Sequence, residues 1–302
     1  MDRACIIYNR FARNAPAIDR VQAAAAAARP RWQVDIFNTD APGHATQLAR
    51  DASAAGATAV FACGGDGTVN EVVNGLAGSQ SALGVLRGGM GNAFAKEIGI
   101  NRRVDVALAS QLAGARRRFD LGKVNDRRFL LMAGVGIDAA VVRAVPEAWK
   151  RRLGSASYVL WAVKLLLRYR PVEVAMAIDG ESISAELFWL LLGNTRSYGG
   201  IVNVTSEALV DDGHLDAYLF HGRGYAWEAR TALKLAMRRH HGGRGVSFHR
   251  LQQLTIETPG LPVQADGEYI GQTPVTFSVE PQALDVLLPA DRGRELFGSD
   301  VP

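Results

Sequence analysis

The chain has 302 residues, 48% hydrophobic and 21% charged, with a formal net charge of +4. That balance suits a folded protein with a sizeable core and excludes a disordered or fibrous chain. Its 2 cysteines, Cys5 and Cys63, each lie inside an apolar run, which excludes a disulfide framework and a cysteine-built zinc site and fits a reducing compartment.

Along the first 125 residues, apolar runs alternate with helical patterns. Cys5–Tyr8, Gln33–Phe37, Ala59–Cys63 and Leu83–Leu86 read as strands. Ile18–Ala28, His44–Ala55, Val69–Ala77 and Val104–Ala113 read as helices, the first of them alanine-rich. This order predicts an α/β domain over 1–125 with a mostly parallel sheet. From residue 126 the texture turns β-rich, with strands expected at Phe129–Ala133, Val172–Ile178, Leu187–Leu192, Leu215–Phe220, Leu254–Thr258 and Val275–Val279. The pairs Asp179-Gly180, Asp212-Gly213 and Asp266-Gly267 mark turns between them. Helices are expected near 155–169 and 224–240. The segment 126–302 therefore reads as a second domain, whose last residues are free to return to the first.

Charge is unevenly spread. Residues 141–170 and 223–250 each hold seven Lys or Arg against one Glu, and the rest of the chain is net acidic. An anionic partner is expected near these two segments. No recognised nucleic-acid motif accompanies them, so a nucleic acid is not the expected partner. No stretch reaches the roughly 18 apolar residues of a membrane span. The chain also enters its first strand without the parts of a signal peptide. A cytoplasmic protein is expected, and nothing in the sequence decides between a monomer and a homodimer.

The most informative stretch is Ala59–Gly75, where an apolar strand ends in Gly64-Gly65-Asp66-Gly67 and a helix begins. Glycines there permit a tight turn and close approach of N–H groups to a ligand, and a helix N-terminus favours phosphate. The spacing is neither the dinucleotide fingerprint nor the P-loop. Asp66, in a loop expected at the surface, would repel phosphate unless a cation intervenes, which points to Mg²⁺. Thr68 and Glu71 fit a capping box for the same helix. A second loop, Arg87-Gly88-Gly89-Met90-Gly91-Asn92, follows the next strand. Two such loops would line one sheet edge, where α/β ligands bind.

With the further motifs Gly134-Val135-Gly136-Ile137-Asp138, Leu209–Asp216 and Val263–Glu268, these residues resemble the lipid kinases of the diacylglycerol kinase catalytic-domain type, sphingosine and ceramide kinases included. The resemblance runs through most of the chain in order. It implies a phosphofructokinase- or NAD kinase-like α/β domain, a C-terminal β-sandwich, and ATP between them. By position it implies nucleotide contacts at Asn9 through Arg13, Thr39, Gly64, Gly65, Asp66, Gly67, Thr68, Asn70 and Glu71, and at Gly89, Met90, Gly91 and Asn92. It also implies a Mg²⁺ ligand at Asp212 with the Leu209 and His214 carbonyls beside it, and a proton acceptor at Glu268, with Asp266 as the second choice. Arg10, Arg13, Met90 and Ala93 depart from the usual pattern, replacing proline, glycine, a small hydroxyl residue and aspartate.

The implied activity is an ATP- and Mg²⁺-dependent transfer of the γ-phosphoryl group to a lipid hydroxyl, diacylglycerol-like or sphingoid. An NAD kinase-like enzyme and a catalytically weak lipid- or nucleotide-binding regulator are the alternatives. Its lipid partner lies in a bilayer, so peripheral association with an anionic membrane is expected through the basic segments, with Trp149, Trp161 and Trp227 seated at the interface. Ser155–Tyr169 reads as a packing helix before a lipid-contacting one. His240, His241 and His249 read as part of a solvated basic face rather than as metal ligands.

Overall fold

A computed structural model describes residues 2–29, 31–146, 149, 155–166, 169–198, 202–221, 245–290 and 292–298. The chain divides into two compact units. The first runs to Leu121 and includes Val210–Asp212 and the segment from Pro281 onward; the second comprises Gly122–Leu209 and Gly213–Glu280.

In the first unit the chain alternates β1 (Asp2–Tyr8), α1 (Ile18–Ala27), β2 (Trp32–Asn38), α2 (His44–Ala54), β3 (Ala59–Gly64), α3 (Asp66–Leu76) and β4 (Ala82–Arg87). Helices α4 (Ala93–Glu97) and α5 (Val104–Leu112) and strand β5 (Ala115–Val124) follow. The strands lie in the order β2-β1-β3-β4, all parallel. Strands β1, β3 and β4 are almost wholly apolar because both faces are covered, which buries Ile6, Ile7, Val60, Phe61, Leu83 and Leu86. Their register brings Tyr8 beside Cys63 and Gly64 beside Arg87, so the loops after β1, β3 and β4 leave from one edge.

The second unit contains β6 (Arg127–Phe129), β7 (Met132–Gly136), α6 (Ile137–Ala144), α7 (Ser155–Leu166), β8 (Val172–Ile178), β9 (Glu181–Leu187) and β10 (Trp189–Gly193). After the short β11 (Ser197–Tyr198) and β12 (Val202–Asn203) come β13 (Leu215–Phe220), β14 (Val246–Leu251), β15 (Gln253–Ile256), β16 (Pro262–Ala265), β17 (Glu268–Gln272) and β18 (Val275–Leu288), the last of which counts with this unit only as far as Glu280. One antiparallel sheet runs β14-β13-β10-β7-β16-β17. Against it lie the antiparallel strands β8, β9 and β15 with the first part of β18. Val135, Leu190 and Leu219 from the first layer share a core with Val174, Leu254 and Phe277 from the second, so the unit is a β-sandwich. Outside it, α6 packs on α7, burying Ile137, Val141 and Val145 against Phe188, Trp161 and Leu165.

Asp179-Gly180 and Asp266-Gly267 both have positive φ at each residue and form two-residue hairpins, β8–β9 and β16–β17. Asp212-Gly213 lies in irregular chain before β13 instead. The helix expected at 224–240 lies outside the described residues, as do Trp227, His240 and His241.

Candidate active site

The loops after β3 and β4 meet backbone to backbone. The Gly88 N–H donates to the Gly64 carbonyl at 2.8 Å. A Cβ on Gly88 would come to 2.9 Å from Gly64 Cα, and one on Gly89 would overlap Gly65 Cα. Contact between loops thus accounts for these glycines. Asn92, at φ +48°, holds the second loop: its Oδ1 accepts from the Gly89 N–H at 2.9 Å and its Nδ2 donates to the Gly89 carbonyl at 2.6 Å.

Asp66 joins the two loops. Its Oδ1 accepts from the Ala93 N–H, the first residue of α4, at 2.7 Å. A Cβ on Gly91 would lie 2.7 Å from its Oδ2. Half-buried rather than superficial, the carboxyl has its pKa raised by burial, against the opposing pull of the Asn92–Phe94 N–H groups and Lys96.

The expected capping box does not form. Helix α3 begins at Asp66, two residues before Thr68, and its N-cap Gly65 brings no side-chain bond. Thr68 Oγ1 instead accepts from Asn9 Nδ2 at 2.9 Å. Glu71 Oε2 accepts from the Ala45 N–H at 3.0 Å and so caps α2. Both side chains are engaged by partners distant in sequence, and the first turn of α3, with Gly67 in it, carries no side-chain cap. Asn70 is buried one turn on, and its carbonyl accepts from Asn74 Nδ2 at 2.9 Å.

On the same edge, the Asn9 N–H donates to the Cys63 carbonyl at 2.9 Å, and Asn9 Oδ1 accepts from the Phe11 N–H at 3.0 Å. Thr39 is buried, its N–H bonded to the Tyr8 carbonyl at 3.0 Å. Arg10 pairs with Asp40 at 3.4 Å, and Arg13 Nη1 reaches the exposed Met90 Sδ at 3.0 Å. Asn9 and Thr68 are thus brought together, as are Asp66, Gly89, Gly91 and Asn92.

Val210–Asp212 belongs to the first unit, whereas Leu209 and His214 count with the second. The Asp120 N–H donates to the Val210 carbonyl at 2.6 Å, and Asp211 Oδ1 accepts from the Gly298 N–H at 2.9 Å. Asp212 and His214 are half-buried. Among the described residues, no group of three or more His, Cys, Asp or Glu is placed to hold a metal ion.

In the second unit, the hairpin Asp266-Gly267 separates the two acidic candidates. The Asp266 carboxylate accepts from the N–H groups of Leu130 and Leu131 at 2.8 Å each and of Met132 at 3.1 Å. Glu268, first in β17, is about half exposed and pairs with Arg127. Two further residues belong to this region. Asp138 is buried, and burial lifts its pKa to about 6 against the hydrogen bonds it accepts. Gln264, inside the Val263–Glu268 motif but without a role of its own in the sequence pattern, donates to it at 3.0 Å. A Gln in an otherwise apolar strand, Pro262–Ala265, is the signal that could have found it. Burial and the neighbouring His221 hold the His249 pKa below its usual value.

Residues 3–124 match the diacylglycerol kinase catalytic domain, and 132–288 match the YegS C-terminal NAD kinase beta sandwich-like domain. A diacylglycerol kinase of Bacillus subtilis is 29% identical over 88% of this chain and 89% of its own length. A Pseudomonas putida protein carrying the name "Probable lipid kinase YegS-like" is 34% identical over 86% of each chain. In fold, the chain is similar to the crystal structure of a diacylglycerol kinase from Bacillus anthracis, with TM-score 0.75 and 22% identity over 95% of this chain and 96% of that one.

Proposed function

Because the chain belongs to the diacylglycerol kinase catalytic-domain family and is a lipid kinase, a class that uses ATP, we propose that it transfers the γ-phosphoryl group of ATP to the hydroxyl of a diacylglycerol-like or sphingoid lipid. The observation that carries this reading is the uncapped first turn of α3, set beside a second glycine loop that bonds to the first. Its N–H groups and helix dipole suit the phosphates of a nucleotide. Stabilising charge on those phosphates is the main task in phosphoryl transfer.

The attacking hydroxyl must lose a proton. Glu268 has an exposed carboxylate for it, whereas Asp266 has its oxygens engaged by three N–H groups. We therefore assign proton acceptance to Glu268 and placement of the turn to Asp266.

Mg²⁺ takes oxygen donors and keeps much of its water, so one or two carboxylates with substrate phosphates suffice. The resemblance puts the Asp212 carboxylate in that role, with the Leu209 and His214 carbonyls as further oxygen donors. The ion, when bound, would offset phosphate charge.

Docking on an anionic membrane belongs to the same proposal. Leu160 and Val163 stand exposed one turn apart on α7, Trp149 is exposed, and the Lys164 ammonium lies over the Trp161 ring. Residues 150–154 and 222–244, which carry most of the basic side chains, lie outside the described residues.

Incubation with radiolabelled ATP, a lipid extract and, separately, NAD tests the reading. Label in a Mg²⁺-dependent lipid phosphate is expected. Label in NAD, or ATP binding without transfer, would overturn it in favour of an NAD kinase-like enzyme or a regulator.

A further inference from the structure

Gln264 of β16 stands opposite Gly134 of β7 in the antiparallel register. Gly134 has no side chain, and the place its Cβ would take is filled by the carboxylate of Asp138, which the first turn of α6 sends back over the strand. Gln264 is 2% exposed and Asp138 7%. Gln264 Nε2 donates to Asp138 Oδ2 at 3.0 Å, while its Oε1 accepts from the Gly267 N–H at 2.9 Å. Asp138 Oδ1 in turn accepts from the Ala139 N–H at 2.7 Å. One buried carboxamide thus connects the foot of α6 to the residue immediately before Glu268.

Burying an amide and a carboxylate together is costly unless every bond is met, and apolar residues at both 138 and 264 would spare that cost. The connection therefore calls for a reason beyond packing. The turn supplies one: Asp266 is pinned to Leu130–Met132, Gly267 is pinned by Gln264, and Glu268 follows with only two rotatable bonds between its Cβ and its carboxyl group. A half-exposed ion pair to Arg127 is too weak to set that geometry by itself. We propose that Gln264 and Asp138 are positioning residues for phosphoryl transfer, holding the Asp266-Gly267 turn so that Glu268 presents its carboxylate to the lipid hydroxyl. This rests on Glu268 being the proton acceptor.

The test is a set of full-length variants assayed for kcat, for KM toward ATP, and for thermal melting. Gln264→Glu keeps an acceptor for Gly267 but sets two carboxylates against each other. Asp138→Asn leaves an N–H₂ group facing a donor. Each is expected to lower kcat about 10- to 100-fold with KM for ATP unchanged, the scale of a slightly misplaced catalytic group. The double variant D138N/Q264E reverses the polarity: the amide introduced at position 138 donates to the carboxylate introduced at position 264, whose other oxygen still accepts from Gly267. It should recover kcat to within about threefold of the parent, a coupling that independent sites do not show. Full kcat in both single variants, or no recovery in a double variant that melts like the parent, overturns the proposal. If the single variants fail to fold, the folded double variant decides alone by its kcat. Glu268→Gln keeps the two failures apart. If it is inactive while the single variants are fully active, the positioning role falls and the proton-acceptor reading stands. If Glu268→Gln turns over normally, both fall.

Discussion

The glycine-loop region of the first unit and the hairpin of the second both present acidic residues inside tight turns, and the two treat them differently. Asp66 caps α4 through Ala93, and Asp266 takes the N–H groups of three consecutive residues, Leu130 to Met132. Glu268, two residues past Asp266, faces outward to Arg127. In the first region the carboxylate joins two loops whose glycines already touch. In the second, one carboxylate builds the turn and leaves the other available for chemistry. In both turns the acidic residue is spent first on open backbone donors of a segment distant in sequence.

The sharpest way to break this comparison is to remove each carboxylate in turn and read turnover and stability separately. Glu268→Gln should lower turnover by a factor of about 100 or more, with stability within about 0.5 kcal/mol of the parent. Asp266→Ala strips a charged acceptor from three N–H groups and should cost about 3 kcal/mol. Asp66→Ala removes the cap of α4 and should cost about 1–2 kcal/mol. Urea denaturation and steady-state kinetics on the same preparations decide it. An Asp66→Ala enzyme with parental stability and no turnover would show that the cap is incidental and that the carboxylate acts on the nucleotide, as its place in the sequence first suggests.

A second measurement sharpens the hairpin side. The Asp138 carboxyl is raised from 3.8 to about 6 by burial. Between those values the folded chain holds a proton that the unfolded chain has lost, so this group's contribution to stability falls as pH rises from about 4 to about 7. The full swing is on the order of 3 kcal/mol. Denaturation across that range should show the decline in the parent and a flatter profile in Asp138→Asn. Equal slopes would mean that the carboxyl stays ionised throughout.

How far such features can be read from sequence depends on the distance of the partner. Strands β1, β3 and β4 are plain as continuous apolar runs because both their faces are buried, and the paired glycine loops announce themselves at the strand ends. Strand β5 hides behind Arg116, Arg117 and Arg118, whose charge is answered far away: Arg116 bonds Asp285 at 2.6 Å. Strand β9, with Glu181, Ser182 and Glu186, and β14, with His249 and Arg250, are too polar to read as strands. The Thr68–Glu71 pattern satisfies a local rule, yet Asn9 and Ala45, far away in sequence, claim both side chains. The bond from Asp138 to Gln264 spans 126 residues, so no local pattern can show it. Gly134-x-Gly136-x-Asp138 shows the need for small residues there, and the structure supplies the reasons: room for a carboxylate at Gly134 and a φ of +100° at Gly136.

The smallest expected effect concerns Arg127. Its pair with Glu268 is exposed on both sides, 38% and 49%, so water screens the attraction and both long side chains lose freedom in making it. Arg127→Ala should therefore change stability by about 0–1 kcal/mol. If the turn is set from behind by Asp266 and Gln264, the orientation of Glu268 does not depend on the arginine, and kcat should stay within about threefold of the parent, a change of roughly 0.6 kcal/mol in the barrier. The measurement is kcat at low and at high salt, because an effect carried by this pair must shrink as ions screen it. A loss of kcat as large as that of Gln264→Glu, fading with salt, would move the positioning of Glu268 from the buried carboxamide to the surface ion pair, and the contrast between a carboxylate that builds the turn and one that faces outward would no longer hold.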